Sequence, residues 1–397
     1  MIPELRKRFN AHWRPELYSR FLRGANEAVG TPIEFRLNET PVFLPRPLLD
    51  KMIRYGIELY EQLANNYEYR RVSDAAVPSN FYVPNEDRHP LFMQVDFGLI
   101  QQSDGTLQPR LVEIQGFPSV YGFQAAIADA YAETYGLEEI TGCRLTPFLG
   151  GLEHNSYRAL LSKAIVGNHA PENVVLLEID PYSQKTLPDF LVTQRWLGIR
   201  IACISQVEKR GRKLFLDDIP IERMYNRVIF DELVRRDIEY KFAFTDDLDV
   251  EWAGHPNWFF RLSKFSLPWF HHPSVPETRF LSDVRDLPDH PDDYVLKPLY
   301  SFAGLGVKIG PTKQELEEIP ASERHRFVLQ RRMEFVPTLE TPMGMTKVEV
   351  RIMYIRDDDL FKPVTTVIRT GRGKMMGVDF NKNLDWVGAS AGFSVTG

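Results

Sequence analysis

Three oxygen-bearing side chains, Asp96, Glu113 and Gln115, lie on two runs of alternating residues that read as one hairpin. The first run is Phe92-Met-Gln-Val-Asp-Phe-Gly-Leu-Ile100 and the second is Leu111-Val-Glu-Ile-Gln115. Between them Ser103-Asp-Gly-Thr106 carries the Asp-Gly pair favoured in two-residue turns. Closing Ser103 against Thr106 sets Asp96 opposite Glu113 and Gln94 opposite Gln115, with Val112 and Ile114 on the core-facing side. Two carboxylates and an amide oxygen then share one sheet face. A hard divalent cation such as Mg²⁺ relieves that repulsion, its shell completed by water and phosphate oxygens. The plainer alternative is a solvated face with incidental acids.

A second chemical stretch runs from Tyr294 to Ile309, Tyr-Val-Leu-Lys-Pro-Leu-Tyr-Ser-Phe-Ala-Gly-Leu-Gly-Val-Lys-Ile. It reads as a strand, a glycine loop and a returning strand, with Lys297 placed where the first strand meets the loop. Gly304 and Gly306 permit positive φ and close approach of backbone N–H groups to an anion, and Lys297 adds a fixed charge. Neither a P-loop nor a dinucleotide fingerprint fits, since no Gly-x4-Gly-Lys-Ser/Thr string occurs and strand residues follow Gly306. A hairpin with an ordinary glycine turn is the bland reading of the same residues.

Elements must hold these groups in place. Apolar spacing predicts a helix over 47–65, and an alanine-rich helix follows the acidic hairpin from Gln124 to Tyr135. Val174–Ile179, a helix through Trp196 that opens on Thr186-Leu-Pro-Asp189 as a capping box, and Ile199–Ile204 form a parallel α/β unit. Strands are expected over 210–216 and 221–229, the latter ending in Arg223, Asn226 and Arg227, which suit either an acidic substrate or surface ion pairs. A short aromatic helix contains Trp258, Phe259, Phe260 and, near its end, Lys264, with Trp269 beyond; taken alone, Lys264 reads as a surface residue. His271-His272 has no third ligand at a sensible spacing and is not read as a metal site. Phe327–Phe335 reads as a strand leaving its sheet at Gln330 and Glu334, where backbone groups can read an adenine edge; Glu349–Tyr354 and Val364–Arg369 pair across Asp357-Asp-Asp359. A polar tail, Phe380-Asn-Lys-Asn383-Leu-Asp-Trp-Val-Gly388, follows, and Arg6-Lys7-Arg8 reads as a solvated basic face.

With 397 residues, the chain has room for two or three domains with buried cores. Its 43% apolar and 26% charged residues are ordinary for globular protein. A net charge of −6 argues against nucleic acid as the main partner, while leaving room for local basic pockets. Cys143 and Cys203 supply neither a disulfide framework nor a zinc site and read as buried thiols. The charged N-terminus and the absence of a long apolar run lead to the expectation of a protein in the cytoplasm, away from membranes.

Together these residues resemble the ATP-grasp superfamily in a permuted order. Tyr294–Ile309 looks like its phosphate-covering lobe, Val328-Leu-Gln330 like its adenine hinge, and Glu349-Val-Arg351, Arg369 and Phe380–Leu384 like the strands beneath the triphosphate. The metal-binding end, which usually comes last, is similar here to Asp96 and Glu113-Ile-Gln115, which come first. That order resembles the circularly permuted proteins typified by glutathionylspermidine synthetase, in which Lys264 of Leu262-Ser-Lys-Phe looks like the second nucleotide lysine. Gln115 stands where the family has Asn, Gln94 stands where that type has arginine, and no Cys/His amidase domain accompanies the rest.

The resemblance implies an α/β (α+β) ATP-grasp fold with circular permutation plus a small parallel-sheet domain. Expected boundaries are 1–145 for N-terminal helices and the metal-binding end, 146–255 for the α/β domain, 256–340 for the nucleotide-covering lobe, and 341–397 for the remaining large-lobe strands. It implies an ADP-forming ligase joining a small-molecule carboxylate to an amine through an acyl phosphate, with ATP and Mg²⁺. Lys264 and Lys297 would grip phosphates, Gly304 and Gly306 form the lid, and Gln330 and Glu334 flank the nucleotide. Asp96, Glu113 and Gln115 would hold the metal, and Arg351, Arg369 and Asn383 would face the γ-phosphate. A nucleotide-binding scaffold without ligase chemistry, and a small-molecule kinase, are the alternatives.

Overall fold

The computed structural model describes all residues except 302, 303, 378–380, 382 and 397. Phe302 and Ala303 of the glycine loop, and Phe380 and Lys382 of the polar tail, therefore lie outside the described residues. No helix among the described residues is long and apolar enough to cross a membrane.

Among the described residues the strands form four sheets in a mixed α/β fold. The largest runs β1 (Val42–Phe43), β19 (Gly388–Val395), β18 (Leu360–Gly371), β17 (Gly344–Asp357), β2 (Phe92–Gln101) and β3 (Leu107–Gln115), with β4 (Leu145–Thr146) on β19 and β16 (Pro337–Thr341) on β17. A parallel sheet has the order β11 (Glu251–Ala253), β10 (Arg223–Asn226), β5 (Val174–Glu178) and β6 (Arg200–Cys203). A small antiparallel sheet has the order β12 (Thr278–Phe280), β15 (Phe327–Arg331), β13 (Tyr294–Pro298) and β14 (Lys308–Ile309). The meander β7 (Glu208–Arg210), β8 (Lys213–Leu216) and β9 (Ile219–Ile221) completes the set.

Strand periodicity gives the large sheet one apolar face and a second face that is polar in the middle, with Phe92, Met353, Ile355 and Val367 making the rest of it apolar. Met93, Val95, Phe97 and Leu99 of β2 pack with Val348, Val350, Ile352 and Tyr354 of β17, against the helix Arg46–Ala64. Gln94, Asp96, Glu349 and Arg351 alternate with them and fall on the other face, where they are buried too. Such double-sided burial requires a second layer.

The hairpin β2–β3 has the expected pairs Asp96 with Glu113 and Gln94 with Gln115, but its turn is different. Gln101 pairs with Leu107, and Gln102 receives the Gly105 N–H at 2.9 Å while donating to Thr106 at 2.9 Å. This is a three-residue loop closed by Gly105 at φ +83°, not a two-residue turn. A β-bulge at Val112 then moves the register by one residue before the site is reached. The bulge also explains why Leu111 and Ile114, three apart, both enter the core, and why Val112 is only half-buried instead of sharing that core.

Other expectations change as well. Arg6 is not solvated: its guanidinium is buried over the Phe9 ring at 4.5 Å and donates to the Pro41 carbonyl, and burial pulls its pKa down to about 9. Cys203 is buried, but Cys143 is only half-buried. The strand expected over 221–229 stops at Asn226, and Phe230–Arg235 is helical. The sequence after Trp386 does not remain a tail: β19 lies inside the large sheet, parallel to β1 and antiparallel to β18. The Thr186 side chain makes no cap; Asp189 serves a different helix.

Candidate functional site

The buried polar face of the large sheet is built by register. Across the strands, Glu113 of β3 faces Asp96 of β2, Asp96 faces Arg351 of β17, and Glu349 of β17 faces Arg369 of β18. Asp96 is 2% exposed and receives both Nε and Nη2 of Arg351, the latter at 2.7 Å, and Nη1 of Arg369 at 2.9 Å. Arg369 also binds Glu349, and Arg351 Nη1 donates to Gln94 Oε1 at 2.8 Å. Gln115, with its amide oxygen turned to the guanidinium, accepts from Arg351 Nη2 at 2.7 Å and Nη1 at 3.0 Å. Burial alone would raise Asp96, but the paired guanidiniums of Arg351 and Arg369 hold it at about 2. Burial pushes Glu349 above the usual carboxylate range.

The small sheet covers this face. Lys297 is buried in β13, and its Nζ donates to the Val112 carbonyl at 2.9 Å and to Gln330 Oε1 at 2.7 Å. Val112 is the bulged residue, so its carbonyl is aimed outward from the ladder at the lysine. Among the described residues Lys297 has no carboxylate in salt-bridge contact; burial lowers its pKa to about 8, against the opposing pull of Glu113. Gln330 pairs across from Val295, on the Lys297 face, and its amide nitrogen donates to Thr278 at 3.0 Å.

Lys264 is not a surface residue. It opens the short 3₁₀ helix Lys264–Trp269, capped by Ser263, and its Nζ lies 3.0 Å from Glu113 and 2.6 Å from the Ser301 carbonyl at the start of the glycine loop. Gly304 and Gly306 take positive φ, +77° and +72°. Asp96, Glu113, Gln115, Lys264, Lys297, Gln330, Arg351 and Arg369 thus form three bonded groups, brought side by side by the Asp96–Glu113 strand pair and the neighbouring Val112 bulge.

Two expected members stand apart. Asn383 is exposed in the turn before β19 and makes no contact with the group among the described residues. Its neighbour Asn381 is buried instead, accepting from Arg372 N–H at 3.2 Å and donating to the Met375 carbonyl at 2.9 Å. Glu334 is exposed on the connection between β15 and β16. That connection is seated by Phe335, whose ring occupies the space over Gly98 where a Cβ would come within 2.1 Å, and by Val336 N–H on the Leu99 carbonyl at 2.9 Å. Gln94 and Glu349 also join the group, beyond the residues expected there. Their signal was strand parity: they alternate with core residues.

The donor set does not fit a divalent metal as it stands. Both oxygens of Asp96 are bonded to guanidiniums, Glu113 to an ammonium, and Gln115 faces Arg351. No three His, Cys, Asp or Glu side chains converge as a metal site among the described residues. His272 is used by Glu58 at 3.0 Å and by Ser274.

A second polar cluster sits at the carboxyl ends of the parallel strands, where the strand order reverses between β5 and β10. Arg227 follows β10 and donates to Asp189 at 2.8 Å, both side chains being almost fully buried. Asp189 also accepts the N–H groups of Val120, Gly122 and Phe123 at 3.1, 2.9 and 3.0 Å, so it caps the helix Tyr121–Tyr135 from outside. Glu178 ends β5; burial lifts its pKa to about 8 despite Arg227. Arg223 is structural: its guanidinium holds the Ala164 and Ile165 carbonyls at 3.0 Å, closing the helix His154–Ile165. Phe259 and Phe260 belong to the core beside this sheet, and Trp258 lines a separate cavity of 440 Å³.

No known family model matches the chain, and no curated protein matches it. Among solved structures, a glutathione synthetase-like effector from Globodera pallida, in its apo form, superposes with a TM-score of 0.60 over 96% of this chain and 98% of that one, at 12% identity. The chain therefore has the overall fold of a glutathione synthetase-like protein.

Proposed function

We propose that the cleft between the large and small sheets binds a nucleoside triphosphate and that the chain is an ATP-dependent carboxylate–amine ligase with a circularly permuted ATP-grasp fold. One observation carries this reading. The early acidic hairpin and the late lysine–glycine hairpin close on each other, Lys297 Nζ lying 2.9 Å from Val112 O and Lys264 Nζ 3.0 Å from Glu113. Buried cations held against a glycine loop suit a polyphosphate, and the fold of a glutathione synthetase-like protein supports ligase chemistry.

In this reading the carboxylate substrate attacks the γ-phosphorus and ADP leaves; the amine then attacks the acyl carbon and phosphate leaves. Lys264 and Lys297 would meet phosphate oxygens, Arg369 the transferred group, and Gly304 and Gly306 let the loop exclude water. A second reading, a nucleotide binder without ligation, is favoured by the engagement of Asp96 with two arginines. The test is ADP release by the purified chain over amino acids, short peptides and polyamines. Release requiring both a carboxylate and an amine supports ligation. Nucleotide binding without such release supports the second reading, and a stable phosphorylated carboxylate formed without amine supports a kinase.

A further inference from the structure

The three groups expected to hold a metal are each bonded to a fixed protein cation. For Mg²⁺ to reach Asp96, it would have to displace two guanidiniums from a buried carboxylate and then remain among them, beside the ammonium on Glu113. Like charges at such separations in a weakly polarisable interior repel strongly. Four cations, Lys264, Lys297, Arg351 and Arg369, already accompany the three carboxylates Asp96, Glu113 and Glu349.

An incoming anion meets the opposite situation. Lys297 is buried on two neutral oxygens, and an ammonium has three N–H donors. It has no third partner among the described residues. Lys264 likewise makes two contacts, one to Glu113 and one to the Ser301 carbonyl. Arg369 keeps 24% of its side chain exposed, so a guanidinium edge stays accessible while Asp96 and Glu349 fix its position.

We infer that the arginine pair takes the place of a divalent ion: phosphate oxygens are met directly by Lys264, Lys297 and Arg369, while Asp96, Glu113 and Gln115 position the protein's cations and do not coordinate metal. This rests on the nucleotide reading of the cleft. Arg351, bonded to Asp96, Gln94 and Gln115, is a positioning residue that keeps the carboxylate turned toward Arg369.

The test pairs calorimetry of ATP against the purified chain, in EDTA and in Mg²⁺, with electron paramagnetic resonance of Mn²⁺ added without nucleotide. The expected result is ATP affinity in EDTA within about threefold of that in Mg²⁺, and a Mn²⁺ spectrum unchanged by the protein. Asp96→Asn, checked for folding by circular dichroism, should weaken ATP about tenfold equally in both buffers, because it loosens the arginines. ATP affinity falling more than tenfold in EDTA, an Asp96→Asn effect confined to Mg²⁺, or Mn²⁺ uptake abolished by that variant would overturn the inference. Absence of ATP binding in either buffer would end the nucleotide reading instead. The Mn²⁺ measurement would then decide by itself, with no uptake supporting the positioning role of Asp96 and uptake refuting it.

Discussion

The two buried polar clusters solve the same problem differently. Each places an aspartate against arginine, yet Asp189 gives most of its hydrogen-bonding capacity to backbone N–H groups of one helix, whereas Asp96 gives all of it to side chains. The first arrangement ties elements together and leaves little to rearrange. The second holds charged groups that a ligand can reach. Each cluster also has one group with a pKa near 8, but of opposite type: the acid Glu178, lifted by burial, and the base Lys297, lowered by burial. Burial thus favours the uncharged form of both, a protonated acid in Glu178 and a free amine in Lys297. In the proposed reading an anion meets the Asp96 cluster, while the Asp189 cluster holds elements of the fold together.

The sharpest break in this comparison is Asp189→Ala. It strips three N–H groups of their acceptor and leaves Arg227 buried without its partner, and should cost about 3–5 kcal/mol in urea denaturation. Asp96→Asn, which retains a side chain able to accept, should cost less.

Stability against pH should separate the clusters by sign. Glu178 has a folded pKa near 8 against an ordinary 4.5. The folded state binds more protons between those values, so its contribution is full below pH 4.5 and is lost as pH rises toward 8. Lys297 has a folded pKa near 8 against 10.5 unfolded. There the unfolded state binds more protons, so the penalty of the buried ammonium is full below pH 8 and is relieved between 8 and 10.5. Denaturation series from pH 5 to 10 should show Glu178→Gln flattening the lower window and Lys297→Met the upper one, each by roughly 3 kcal/mol.

Lys297→Met should also weaken ATP about 10–100-fold by calorimetry, a loss of roughly 1.4–2.8 kcal/mol, while raising stability at pH 7. A ligand site and a structural site differ in that combination. The smallest effect is expected for deletion of Val112. Because it is the extra residue of the bulge, removing it leaves Asp96 opposite Glu113 and keeps Leu111 and Ile114 in the core. Lys297 loses its carbonyl acceptor, so ATP affinity should fall severalfold with a stability change within about 1 kcal/mol.

The sequence made the polar face readable because alternation with apolar residues survives even where both faces are buried. The pairing of Asp96 with Glu113 was legible, though for an incomplete reason: a turn longer by one residue is offset by the bulge, and neither device has a strong residue signature beyond Gly105. Lys264 was hidden because its burial depends on a hairpin more than 140 residues earlier and a loop 37 residues later. The arginine–aspartate pairing was equally hidden. Like-charged neighbours within one hairpin suggest a metal, and only two strands from the far end of the chain, β17 and β18, bring the guanidiniums that satisfy Asp96. β19 was missed because Gly-Ala-Ser-Ala-Gly offers little contrast between faces.

The seat of Phe335 over Gly98 means that the strand bearing Asp96 is also the bearing on which the covering sheet rests. Gly98 lies directly across from Glu349, so this seat and the charge cluster share one rung of the ladder. A side chain larger than hydrogen at position 98 would therefore unseat that connection and disturb the charged rung in one step.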